Sequence, residues 1–147
     1  MIRNINKYIF IYILTLFVIG CSNPIQTCSD CFLEIDIPEL EQDTKGFYHL
    51  DFDNGGLQTF VQIRASVGRD YEYIGWDTNT YFDGCTWSYC EDVPIVNGAS
   101  YSGQDGYAYT MLGVYEENIG DVATIWAGYY DDYGNQWLDS IRIIIDE

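Results

Sequence analysis

The amino-acid sequence predicts an all-β chain: a β-sandwich of about seven strands that follows a signal peptide and a short tether. Three observations predict it. Short segments alternate apolar and polar side chains with period two, the mark of a half-buried strand. Clusters of Gly, Asp and Asn punctuate them at intervals of about eight to twelve residues, the spacing of an all-β domain. After residue 21 no apolar stripe has period 3.6, and glycine and β-branched residues recur too often for a stable helix.

The N-terminus has a different character. Met1–Lys7 carries Arg3 and Lys7 and no acid, and Tyr8–Ile19 is an apolar run in which only Thr15 is polar. A spanning helix needs about 20 apolar residues, so this run is short for one. Basic flank, short apolar core and small residue before a cut mark residues 1–20 as a secretory signal. Gly20 followed by Cys21 resembles the lipobox of bacterial lipoproteins, in which the cysteine thiol takes a diacylglyceryl group before cleavage and the new amine is then acylated. The alternative is an ordinary signal peptide with an incidental cysteine. The resemblance implies lipidation at Cys21 and a membrane as first partner. Each buried methylene contributes about 0.8 kcal/mol, so one acyl chain holds marginally and three hold firmly. Ser22 stands where lipoproteins kept at the inner membrane carry Asp. The resemblance therefore implies an outer-membrane location and leaves the face open.

The strands follow in order. Residues 21–45 read as lipidated N-terminus and tether, with Phe32, Ile35 and Ile37 offering a short strand stopped by Pro38. Residues 46–147 read as the domain. Phe47–Phe52 leads to the turn Asp53-Asn54-Gly55-Gly56. Gln58–Val67 alternates, with Val61, Ile63, Ala65 and Val67 on one face. Tyr71–Thr80 follows and places Trp76 as the buried tryptophan of a central strand. Val93–Val96 reads as an edge piece, because Pro94 cannot donate to a central ladder. Tyr107–Val114, Val122–Tyr130 and Trp137–Asp146 complete the set.

Charge and cysteines limit the function. All 23 acids lie after residue 20, against Lys45, Arg64, Arg69 and Arg142, so the mature chain carries a net charge of −19. Nucleic acid is excluded as a partner, because phosphate binding needs clustered Lys and Arg. Beyond Cys21 stand Cys28, Cys31, Cys85 and Cys90. In an oxidising compartment four cysteines form two disulfides, with three connectivities open. The favoured pairing is Cys85–Cys90 as a loop clamp and Cys28–Cys31 beside it. Zinc held by C-x2-C with C-x4-C is the rival reading, and a redox motif at Cys28-Ser29-Asp30-Cys31 is disfavoured by its place in a tether.

Gln58–Val67 leads to Ile74-Gly-Trp-Asp-Thr-Asn79, then Ser102-Gly-Gln-Asp-Gly-Tyr-Ala-Tyr-Thr110 and Gly120-Asp-Val-Ala-Thr-Ile-Trp-Ala127. This succession resembles bacterial immunoglobulin-like domains of the invasin and intimin type over roughly residues 47–146. The insertion from Tyr81 to Ser100, with Cys85 and Cys90, departs from it. The resemblance implies an immunoglobulin-like sandwich in a surface or adhesive setting, and it brings no catalytic residue and no ligand.

No nucleophile elbow, phosphate loop or zinc-protease motif occurs, and the single histidine, His49, reads as a partly exposed strand residue. The chain is therefore expected not to be an enzyme, with no catalytic residues, no cofactor and no metal. Asp131-Asp132 with Asp105 or Asp121 could gather calcium, against a plain reading as solvated turn acids. The aromatics are the stronger clue. Trp87, Tyr89, Tyr130 and Tyr133 are the candidate ligand-binding residues, since Trp and Tyr bury large area at small entropic cost. Two functions follow: an envelope lipoprotein that binds a protein or gives structural support, or a carbohydrate-binding module.

Overall fold

A computed structural model describes residues 28–53, 55–83, 92–96 and 98–147. Its ten strands are β1 (Glu34–Asp36), β2 (Phe47–Asp51), β3 (Thr59–Ser66), β4 (Tyr73–Thr78), β5 (Tyr81–Asp83), β6 (Asp92–Pro94), β7 (Ala99–Tyr101), β8 (Tyr107–Val114), β9 (Val122–Tyr130) and β10 (Gln136–Asp146). The only helical element among the described residues is a 3-10 turn at Glu116–Asn118.

Eight strands build the sandwich. One sheet has the order β1-β3-β8, the other β2-β10-β9-β4-β7, and β5 and β6 form a separate ribbon. Every pairing is antiparallel except β2 with β10, which run parallel. The predicted period of two is what the strands obey. On β3, Val61, Ile63 and Ala65 are buried and Phe60 and Gln62 exposed. On β9, Ala123, Ile125, Ala127 and Tyr129 face inward. These meet Ile141, Ile143 and Ile145 of β10 and Ile74 and Trp76 of β4 in one core. Each such aliphatic side chain contributes about 2 kcal/mol by leaving water. Trp76 is buried as expected, and its indole N–H donates to Ser100 Oγ at 2.8 Å.

The segment 28–45, expected to be tether, packs on the sandwich instead. Ile35 and Ile37 are 4% and 1% exposed, and β1 adds to the edge of β3. Two such isoleucines are too apolar to be left in water. Polar ties reinforce the docking. Ile35 N–H donates to Asp139 Oδ2 at 2.8 Å, and Arg64 grips Asp36 with two bonds of 2.7 Å. The folded unit therefore includes Cys28–Lys45.

One close approach demands glycine, and a pair of glycines lies in the larger sheet. At the turn after β7, Gly106 has φ of +78°, and a Cβ there would lie 3.1 Å from Gly68 Cα. At the centre of the five-stranded sheet, Gly75 pairs with Gly128.

Candidate functional site: an aromatic trough on the five-stranded sheet

The outward face of the five-stranded sheet carries the site. On β9 the outward phase reads Val122, Thr124, Trp126, Gly128, Tyr130. Gly75 lies beside Gly128 on β4, and Leu138 lies beside it on β10. The two glycines lower the floor between side chains that rise on either side of it. Trp126 and Tyr130 are four residues apart, about 13 Å along an extended strand, with Gly128 midway. Asp77, Gln136 and Leu138 complete the lining of a trough of about 500 Å3. That volume lies in the range of ordinary small-ligand sites. Trp126, Tyr130 and Leu138 are 39%, 66% and 64% exposed, so their faces are free to meet a ligand. Tyr73 and Tyr101, on the same sheet face, pack edge-on with ring centres 5.2 Å apart.

The trough ends at the β9–β10 hairpin, which one buried acid organises. Asp131 is 5% exposed. It accepts hydrogen bonds from the backbone N–H groups of Tyr133 and Asn135, from Asn135 Nδ2 and from Trp137 Nε1, all between 2.8 and 3.2 Å. Burial pushes its pKa up, but these donors outweigh burial and bring it down to about 2. Trp137 in turn stacks on Tyr129, whose hydroxyl donates to the Phe32 carbonyl.

Behind that hairpin lies the disulfide. Cys28 and Cys31 are joined, as the favoured pairing expected. Arg69 directs Nη1 at the two sulfurs, 3.4 Å from Cys31 Sγ and 3.9 Å from Cys28 Sγ. Its Nη2 binds Asp132 at 2.8 Å and Glu72 at 3.1 Å. The hydrogen bond from Arg69 to Asp132 raises the guanidinium pKa further, so this charge is fixed. Two sulfurs and an Asp131 oxygen lie within 4.8 Å of one another, yet joined sulfurs offer no thiolate to a metal. The calcium reading of Asp131-Asp132 loses its ligands in the same place, since Asp131 is taken up by the hairpin and Asp132 by Arg69.

Of the residues singled out in the sequence, Tyr130 forms part of the trough, and Tyr133 is 54% exposed in the adjoining turn. Cys21, Cys85, Trp87, Tyr89 and Cys90 lie outside the described residues. His49 is partly exposed, as expected, between Asp146 at 2.7 Å and Asp43 at 3.6 Å. Sequence reasoning missed Trp126, Gly75, Gly128 and Leu138. The signal was present in the alternation of β9: its wet phase holds two large aromatics around a glycine, where a solvated face calls for polar residues.

No family model matches the chain, and no curated protein matches it. Among solved structures, a superoxide reductase (neelaredoxin) from Ignicoccus hospitalis is similar at a TM-score of 0.45 and 14% identity, over 78% of this chain and 80% of that one. A substituted form of the same enzyme gives the same TM-score over 79% and 81%. A DUF4466 family protein from Parabacteroides merdae gives a TM-score of 0.34 at 13% identity, over 77% of this chain but 45% of that one. The first two are enzymes, and on that finding the expectation that this chain is not an enzyme is withdrawn. The reaction in those names stays with those proteins.

Proposed function

We propose that this chain is a lipid-anchored protein of the bacterial envelope, held through Cys21, whose aromatic trough binds a neutral glycan. The observation that carries the reading is the glycine floor between Trp126 and Tyr130. Aromatic rings offer flat apolar faces to the C–H faces of sugar rings. Asp77 and Gln136 at the rim supply an acceptor and an amide to hydroxyl groups. A net charge of −19 on the mature chain repels anionic polysaccharide. The lipid would then hold a sugar-binding face at the membrane surface, with the immunoglobulin-like resemblance in accord with such a setting.

The test is retention of the purified lipidated protein on insoluble neutral glycans, with anionic glycans run beside them. Retention on a neutral glycan that is lost in Trp126→Ala supports the reading. Retention on no glycan, or retention unchanged in Trp126→Ala, refutes it. The anchor is tested separately by Cys21→Ser, which is expected to move the chain from the detergent phase to the aqueous phase.

A protein partner is the second reading. It is favoured by Phe60 and Met111, exposed on the outer face of the three-stranded sheet at 58% and 39%.

A further inference from the structure

The Cys28–Cys31 disulfide does little that a structural crosslink does. It spans a separation of three residues, and a ring of that size restrains the unfolded chain least. The segment it belongs to is already docked by Ile35, Ile37, the Asp139 bond and the Arg64–Asp36 pair. Nor does the motif lie in a loose tether, the ground on which the sequence disfavoured a redox role. It caps the end of the sandwich, against Arg69.

The two sulfurs are not equivalent. Cys31 is 7% exposed, whereas Cys28 is half-buried and is followed by exposed Ser29 and Asp30. The reachable sulfur is therefore that of Cys28. The sheltered sulfur is the one nearest to Arg69, at 3.4 Å. Arg69 is held in place by Asp132 and Glu72 through its other nitrogen, so its Nη1 is pre-aimed. A fixed cation beside a sulfur favours its thiolate. Asp131 opposes this from within 4.8 Å, but its carboxylate is engaged by its own four donors.

We infer that Cys28–Cys31 is an exchange site for an exported dithiol, with Cys28 the sulfur attacked and Cys31 the leaving thiolate held by Arg69. A thiolate of the dithiol attacks Cys28 Sγ, and the Cys28–Cys31 bond breaks with its electron pair passing to Cys31. The dithiol's second sulfur, once deprotonated, attacks its own sulfur in the mixed disulfide and releases Cys28, which takes up a proton. Two electrons pass to this chain and the dithiol leaves as a disulfide. Run in reverse, the reduced pair delivers the same two electrons to a disulfide substrate. This inference stands apart from glycan binding, since it uses none of the trough residues.

The experiment follows reduction of the full mature lipoprotein in detergent by dithiothreitol at pH 7. Timed alkylation and peptide mapping read Cys28 and Cys31 separately from Cys85 and Cys90. The Cys28–Cys31 bond is expected to reduce roughly tenfold more slowly in Arg69→Met than in the native protein, through the poorer leaving group. In Cys31→Ser, a thiol-reactive disulfide is expected to be captured on Cys28. A second measurement does not depend on the fold of Arg69→Met. In Cys28→Ser, the free Cys31 is expected to gain alkylation reactivity with a midpoint below that of an ordinary thiol, about 8.5. Equal reduction rates in the native and Arg69→Met proteins would overturn the inference. So would a Cys31 midpoint at or above the ordinary value.

Discussion

Trp137 donates its indole N–H to Asp131 across the β9–β10 hairpin, over 3.2 Å. The bond joins a buried carboxylate at the end of the trough to a ring stacked on Tyr129. It ties the turn to the core, so the hairpin that carries Tyr130 and Gln136 inherits the rigidity of the sandwich.

Acid should loosen that hairpin. The Asp131 pKa falls from the ordinary 3.8 to about 2, so its contribution is complete above the unfolded value and disappears as pH drops through the folded one. Urea midpoints measured from pH 5 to pH 2 should decline in the native protein. In Asp131→Asn the midpoint should be lower at pH 5 and the decline shallower. An unchanged pH profile would show that the carboxylate is not charged in this setting.

His49 gives the opposite sign. The hydrogen bond to Asp146 raises its pKa, burial opposes, and the bond to Asp43 adds to the rise. Its stabilisation is therefore present below the unfolded value of about 6.5 and lost as pH climbs through the higher folded value. As the only histidine, its ring resonances in an NMR titration report it without assignment. A midpoint above 6.5 is expected, returning toward 6.5 in Asp146→Asn.

The core should respond as a packed interior. Ile63 is fully buried on β3, between β1 and β8. Ile63→Ala should cost about 2–5 kcal/mol in chemical denaturation, through lost burial and the cavity left behind. A cost below about 1 kcal/mol would mean that the two sheets close over the gap.

Gly128 allows a test of the trough floor without removing an aromatic. A Cβ there would lie 2.6 Å from Leu138 Cδ2, the mobile end of a flexible side chain, and 3.2 Å from the Trp137 carbonyl. Gly128→Ala should fold, with Leu138 turned aside and the floor raised, and should weaken glycan retention. Retention equal to that of the native protein would move the binding surface elsewhere.

The strands were legible because their period is set by burial on one face. Val61-x-Ile63-x-Ala65 on β3 and Ala123-x-Ile125-x-Ala127 on β9 announce themselves through that rule. Strands of three residues carry too few repeats to show a period, so β5 and β7 leave no mark in the sequence, whereas Ile35 and Ile37 mark β1 as a short strand within the segment read as tether. The trough was half legible. Tyr130 was marked, but Trp126 was not, because joining it to Gly75 and Leu138 needs the β4-β9-β10 register, which no local pattern contains. Arg69 and Cys31 are 38 residues apart, and only the fold brings them together.

The most direct test of the glycan-binding claim is a titration of the lipidated protein with a soluble oligosaccharide of whichever neutral glycan retains it, comparing Trp126→Ala with Trp87→Ala. Stacking contributes about 1 kcal/mol or more, so Trp126→Ala should raise Kd roughly tenfold with the thermal unfolding temperature unchanged. Trp87→Ala should leave Kd within about twofold. Unchanged affinity in Trp126→Ala, with the loss falling on Trp87→Ala instead, would place binding in the loop between Cys85 and Cys90 and contradict the account.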